Sequence, residues 1–289
     1  MKKTARLIAL VSAIGMMLAV AAALLAGGMI CAPAPAVVGA PPPDLAAEPV
    51  SFESTSGSRL AGWFIAGKPH HGAVLLLHGV RGNRLAMLRR ARMLSARGFA
   101  VLLFDFQAHG ESPGSHITFG FLEARDARAA FDYLRRRTPG ERIGVLGNSL
   151  GGAAAILSDP PIAADAMVLE AVYATIEEAL ENRLALHLGS FGQSLSPALM
   201  WQIKPRLGVD AADMRPAERI ERIHAPLLLI AGDADRHATL DEMKRIYAAA
   251  NEPKDLWVIP GARHVDFYRF IPAEYERRVT KFFSERLSD

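Results

Sequence analysis

The chain has 289 residues, 51% hydrophobic and 22% charged, a balance that excludes a disordered protein and provides for a substantial core. Its net charge of +3 is accounted for by Lys2, Lys3 and Arg6 alone; the rest is formally neutral, which argues against nucleic acid as a partner. The single cysteine, Cys31, excludes an internal disulfide and a cysteine-based metal site.

A basic lead, residues 1–6, precedes about 24 almost wholly apolar residues, 7–30. Positive charge ahead of such a run directs insertion with the lead in the cytoplasm. The run exceeds the roughly 7–15 residues of a secretory signal core and meets the roughly 20 that a helix needs to cross a bilayer. Ala34-Pro35-Ala36 supplies a small-x-small cleavage site before Val37, so an uncleaved anchor and a removed signal both stay open. Ile30 is too large to precede a lipid-modified Cys31. Six prolines in residues 32–49 read as a semi-rigid extended spacer. The expected division is a transmembrane anchor or signal at 1–31, a linker at 32–48 and a folded body at 49–289. The body then lies outside the cytoplasm, periplasmic or extracellular, or is secreted if the segment is removed.

In the body, short apolar runs alternate with amphipathic stretches. Residues 49–55 and Arg59–Ile65 read as a hairpin turning at Ser56-Gly57-Ser58. Ala73–Leu77 is continuously apolar, as in a strand buried on both faces of a parallel sheet. Residues 84–97 read as a helix whose many arginines form a solvated face. A strand at Ala100–Phe104, a helix at Phe121–Arg137, a strand at 143–146, a helix at 149–157 and a strand at 167–169 follow. Strands at 226–230 and 256–259 flank a helix at 240–250, and a last helix covers 272–286. The alternation predicts an α/β fold with a mostly parallel central sheet and helices on both faces. Residues 173–219 break the rhythm with no clear strand: either a small helical cap over an active site or a helical connection packed on the sheet.

Gly147-Asn148-Ser149-Leu150-Gly151 lies where a strand meets a helix. A serine on such an elbow sits in a strained conformation, and the flanking glycines remove side chains that would collide there. The helix N-terminus behind it favours developing negative charge. Two main-chain donors for an oxyanion are expected, Val80 in the loop after Leu77-His78-Gly79 and Leu150 just after the serine. His78 reads as a brace for that loop. In this arrangement an acid and then a histidine follow the serine in sequence. Among the later histidines, His264 closely follows the last apolar strand; His224 precedes a strand, and His237 reads as a loop residue beside the acid. Asp233 and Asp235 both follow the penultimate strand, with Glu170 a distant third.

His78-Gly79, residues 105–112, residues 147–151, Gly232 to Asp235 and Gly261 to His264 together resemble the α/β-hydrolase superfamily, in its order and over about residues 49–289. The resemblance implies the α/β-hydrolase fold, and it favours Asp235 over Asp233 because the G-x-x-D of that family supplies the acid from its last position. It makes residues 105–112 the D-x-x-G-x-G-x-S loop, with Ala108 where the family often has glycine and with His109 and Glu111 structural. The chain is also similar to single-span membrane-anchored hydrolases grouped with the serine aminopeptidases.

The expected activity is hydrolysis of a carboxylic ester through a Ser149–His264–Asp235 triad and an acyl-enzyme, with no metal or organic cofactor. Two alternatives stay open: peptide or amide hydrolysis by the same triad, and a non-catalytic anchored binding protein on the same scaffold. A carboxylate nucleophile, as dehalogenation needs, is absent from the elbow. The expected partners are a small ester or peptide substrate and, through the N-terminal segment, a membrane; oligomeric state is left open.

Overall fold

The computed structural model describes residues 2–288; Met1, Asp289 and the side chains of Lys2 and Lys3 lie outside the described residues. Helix α1 (Lys2–Cys31) carries the apolar run and leads into a two-residue strand, β1 (Ala34–Pro35). The hairpin β2 (Ala47–Glu53) and β3 (Arg59–Ile65) turns through Gly57, whose φ of +88° suits a residue without a Cβ. Then come β4 (Ala73–Leu77), α2 (Leu88–Ala96), β5 (Ala100–Phe104) and the short β6 (His109–Gly110). Helix α3 (Phe121–Arg137), β7 (Ile143–Asn148), α4 (Leu150–Leu157) and β8 (Ala166–Glu170) follow. The irregular interval folds as α5 (Ile176–Ser194), α6 (Ser196–Met200) and α7 (Ile203–Leu207). The chain closes with β9 (Leu227–Gly232), α8 (Leu240–Ala249), β10 (Lys254–Ile259), α9 (Phe267–Phe270) and α10 (Pro272–Leu287).

Eight strands form one sheet in the order β10-β9-β8-β7-β4-β5-β3-β2. Pairing is parallel from β10 to β5 and antiparallel through β3 and β2, the mostly parallel sheet expected. Every residue of β4 and β5 is buried, which is why their sequences are apolar without alternation. Alternation survives in direction. Leu75 and Leu77 point into the core under α3, α4 and α8, while Val74 and Leu76 point into the core under α2 and α10. Helices therefore cover both faces.

β4 and β7 are neighbours with Leu77 opposite Gly147, although a crossover through β5 separates them in sequence. The strand order reverses at β4, and the loops leaving the carboxyl ends of such strands diverge to leave a crevice. The next register pairs, Asn148 with Glu170 and Gly232 with Ile259, put the ends of β7, β8, β9 and β10 on the same edge.

Two expectations need correction. Residues 84–97 begin as a tight 3-10 turn, Arg84–Met87, before α2, and the arginines do not share a solvated face. Arg84 and Arg90 are each 2% exposed and are held inside by carboxylates; only Arg89, Arg92 and Arg97 face water. The proline-rich stretch is not a free spacer. Ala34 N–H donates to Ala108 O at 2.8 Å and Ala36 N–H to Gly110 O at 2.9 Å, pairing β1 with β6. Ile117 N–H donates to Cys31 O at 2.9 Å, and the Glu111 carboxylate accepts the amides of Val38 and Gly39 at 2.9 Å each. Apart from those to Glu111 these are bonds between main-chain groups, so side-chain composition carried no hint of them.

Candidate active site

Ser149 is the hinge between β7 and α4, with φ +50° and ψ −111°, a conformation an L-residue adopts only when its surroundings impose it. Its N–H donates to Glu170 O at 2.7 Å on the adjacent strand. Two glycines make room for the elbow. A Cβ on Gly147 would stand 2.6 Å from Gly152 N, and one on Gly151 would collide with the carbonyl of Leu77. The strained serine thus rests on close packing of α4 against β4 and β7.

His264 Nδ1 lies 2.7 Å from Asp235 Oδ2, and the Asp235 side chain is fully buried. Asp235 Oδ1 accepts the amides of His237 at 2.7 Å and Ala238 at 3.1 Å, so the carboxylate is fixed with its other oxygen turned to the imidazole. The bond assigns the proton to Nδ1 and leaves Nε2 free to take a proton from a hydroxyl. Ser149 and His264 face one cavity; among the described residues no direct hydrogen bond joins them, and triads without substrate commonly close that link only in the complex. Asp233 instead accepts the Gly261 amide at 2.7 Å and caps a turn.

Val80 and Leu150 both line this cavity, and among the described residues neither amide has a hydrogen-bond acceptor. For Leu150 that is the open N-terminus of α4. His78 braces the Val80 loop: Nδ1 lies 2.8 Å from Gly79 O, while Nε2 accepts the Phe106 amide at 3.1 Å. Burial pushes its pKa down to about 3, so the ring stays neutral and its two bonds persist. Ala108 sits at φ +57°, the left-handed conformation that explains why glycine is the commoner choice there.

Glu170 is buried in an ionic network. Arg90 Nη2 bonds Glu170 Oε2 at 2.6 Å, Tyr275 Oη donates to Glu170, and Arg90 Nη1 reaches Asp266 Oδ1 at 2.9 Å. Asn148 Nδ2 adds a 3.4 Å bond to the same carboxylate. Arg90 therefore ties the segment behind Ser149 to the loop just after His264. A second pair of contacts, Arg84 with Asp105 and Glu111, braces residues 105–112.

The cavity has a volume of about 100 Å³. Cap residues Ile176, Ala179, Leu180 and Arg183 supply one wall, at the i, i+3, i+4, i+7 spacing of a single helix face. His237 lines it too, its ring centroid 5.0 Å from that of His264, rather than lying on an outer loop. Burial, then the neighbouring His264, lowers the His237 pKa. Arg183 has no ion pair or hydrogen bond among the described residues, and burial followed by Arg81 lowers its pKa. Gly27, Ile30 and Cys31 of α1 also reach the cavity. Sequence reasoning missed Arg183, the Arg90 network and these α1 residues; only the helical spacing 176–183 was there to be read.

The chain belongs to the alpha/beta hydrolase family, whose model matches residues 74–277. It is similar to the uncharacterized protein Rv2307c of Mycobacterium tuberculosis, 34% identical over 227 residues, 75% of this chain and 72% of that protein. It is also similar to the uncharacterized protein YfhR of Salmonella typhimurium, 29% identical across 84% of this chain and 83% of the relative. Among solved structures, the Pyrococcus furiosus esterase Pf2001 matches with a TM-score of 0.73 and 26% identity, over 89% of this chain and 99% of the esterase. The resemblance to alpha/beta hydrolases at the five motifs is thereby borne out.

Proposed function

We propose that the protein is a membrane-anchored serine esterase in which Ser149, His264 and Asp235 form the catalytic triad. The observation that carries the reading is the 2.7 Å His264–Asp235 bond at the carboxyl edge of the sheet, with the imidazole and the strained Ser149 facing one cavity. Ser149 Oγ attacks the ester carbonyl carbon as its proton passes to His264 Nε2. Asp235 holds the resulting imidazolium. The amides of Val80 and Leu150 take the developing oxyanion. Collapse breaks the carbonyl–alkoxy bond, and the alcohol leaves with the proton from His264. Water, deprotonated by His264, then attacks the acyl carbon; the bond from that carbon to Ser149 Oγ breaks, His264 returns the proton to Oγ, and the carboxylic acid leaves.

An ester suits the cavity better than a peptide. Among its lining residues none is acidic, so the free amino terminus that an aminopeptidase must hold finds no counter-charge, whereas the unpaired cation Arg183 is present. The likeness to an esterase structure points the same way.

Anchoring follows from α1. The most apolar 18-residue window within residues 4–31 has a mean hydropathy of 2.6, and residues 4–22 are exposed throughout. Those 19 residues span about 28 Å at 1.5 Å each, close to the roughly 30 Å of a bilayer core. Cleavage after Ala36 would remove β1 and part of the cavity wall, which favours the uncleaved anchor and a body outside the cytoplasm.

The test is hydrolysis of p-nitrophenyl butyrate and labelling by a fluorophosphonate. Parental protein is expected to do both and Ser149→Ala neither; butyrate hydrolysis undiminished in Ser149→Ala removes the assignment.

A further inference from the structure

The last two turns of α1 are bound to the cap. Gln202 Nε2 donates to Ala23 O at 3.0 Å, and Arg206 Nη2 to Leu24 O at 2.9 Å. On the other side, Arg81 Nη2 donates to Met29 O at 2.6 Å. Gly27 permits the approach, since a Cβ there would strike the Gln202 side chain. One face of the helix, Gly27, Ile30 and Cys31, consequently looks into the cavity that holds Ser149. The part of α1 free of the body ends at residue 22, one residue before the first of these bonds.

The cap, whose Gln202 and Arg206 hold this part of α1, carries large apolar side chains in the open. Trp201, adjacent to Gln202, is 74% exposed, Phe191 is 68% and Leu188 is 50% exposed. A tryptophan at the level where a transmembrane helix emerges is suited to the headgroup boundary. Exposed apolar groups continuous with a membrane helix have one occupant that needs no further partner, the bilayer itself.

Ser149, Val80, His264 and Arg183 also line a second opening, next to Asn148 and Asp266. The serine thus borders both an apolar chamber and a more polar cleft, and the unpaired Arg183 lines both.

We propose, resting on the esterase reading above, that the substrate is a membrane-resident acyl ester with an anionic headgroup. Its acyl chain enters the apolar chamber from the bilayer side, against Ile30 of the anchor. Its alcohol portion occupies the polar cleft, where Arg183 receives the negative charge. Trp201 and Phe191 seat the cap in the boundary region so that the chain need not cross water.

The experiment uses the full chain reconstituted in detergent micelles and in vesicles. Hydrolysis of p-nitrophenyl esters from acetate to palmitate gives a chain-length profile. Ile30→Trp is expected to lower the decanoate-to-butyrate ratio at least tenfold, and Ile30→Ala to move the optimum to longer chains. Fatty acid release is expected to be at least tenfold faster from phosphatidylglycerol than from phosphatidylcholine vesicles, with Arg183→Gln collapsing that ratio towards one. Trp201→Ser with Phe191→Ser is expected to lower the ratio of vesicle to p-nitrophenyl butyrate hydrolysis at least fivefold. Fluorophosphonate labelling of Ser149 confirms that each variant is folded. If butyrate hydrolysis depends on Ser149 but both Ile30 variants keep the parental profile and no fatty acid leaves phosphatidylglycerol vesicles, the lipid proposal is overturned and the esterase stands. If no ester hydrolysis depends on Ser149, both fall.

Discussion

The floor of the cavity, at the ends of β4, β7, β9 and β10, is fixed by buried bonds: two amides on Asp235, Glu170 O on the Ser149 amide, and Arg90 between Glu170 and Asp266. The roof, made by α5–α7 and the end of α1, is tied to the body at the start of α5 by Glu177–Arg215 and Asn182–Glu242, meets α1 through side-chain bonds to helix carbonyls, and is broken at Gly189, where φ is +61° and ψ −152° within α5. A rigid floor suits chemistry, which loses orders of magnitude when a group is displaced by an ångström. A looser, apolar roof suits selection of what is brought to that chemistry. Floor substitutions should therefore change rate on every ester, and roof substitutions should change preference among esters.

The sharpest test of that division is Asp235→Asn. It leaves the shape of the floor but reverses the proton on His264, and kcat is expected to fall by about 10⁴ on all chain lengths alike, read from initial rates. Arg90→Met comes next. Leaving Glu170 buried without its cation costs about 3–5 kcal/mol, measured by urea unfolding of the full chain in detergent. An unchanged midpoint would mean the network is not what secures the floor.

Asp126, in α3 and bonded to the Gln107 amide, probes the body below the roof through pH. Burial pushes its pKa up from 3.8 to about 7, and one of its buried oxygens has no partner among the described residues. The unfolded chain releases this proton near pH 4 while the folded chain keeps it to about 7. The contribution of Asp126 is thus undiminished below pH 4 and is lost as pH rises from 4 to 7, by about 2–4 kcal/mol. Asp126→Asn should flatten that part of the stability profile in unfolding curves taken at successive pH values.

On the roof, Leu180→Trp narrows the apolar chamber and is expected to lower the octanoate-to-acetate rate ratio about tenfold, some 1.4 kcal/mol of selectivity. Equal losses on both esters would blur the contrast between floor and roof. The smallest effect is Ala108→Gly, which relieves a left-handed alanine and is expected to raise stability by less than about 1 kcal/mol, seen as a slightly later thermal transition.

The contrast also explains what the sequence disclosed. The strands AVLLL and AVLLF are buried on both faces, and composition alone announces that. The elbow was legible because close packing restricts its flanking positions to glycine, whereas Asp235 was separated from Asp233 only by the resemblance to the α/β-hydrolase superfamily. The burial of Arg84 and Arg90 was not, since it depends on carboxylates 21 and 80 residues away and a guanidinium next to a leucine reads as a solvated face. The cap pattern at 176–183 was readable as a helix, but not as a wall, because its partner lies at the other end of the chain.

The strap of residues 32–39 has a further consequence. A domain on a loose stalk swings through a hemisphere and samples its surroundings from every angle. Here Glu111 grips Val38 and Gly39, and β1 is stitched to β6, so tether and body turn as one piece. Under the proposed anchoring, the height and tilt of Ser149 above the lipid are set by helix geometry, in the way a gauge is set by its mount.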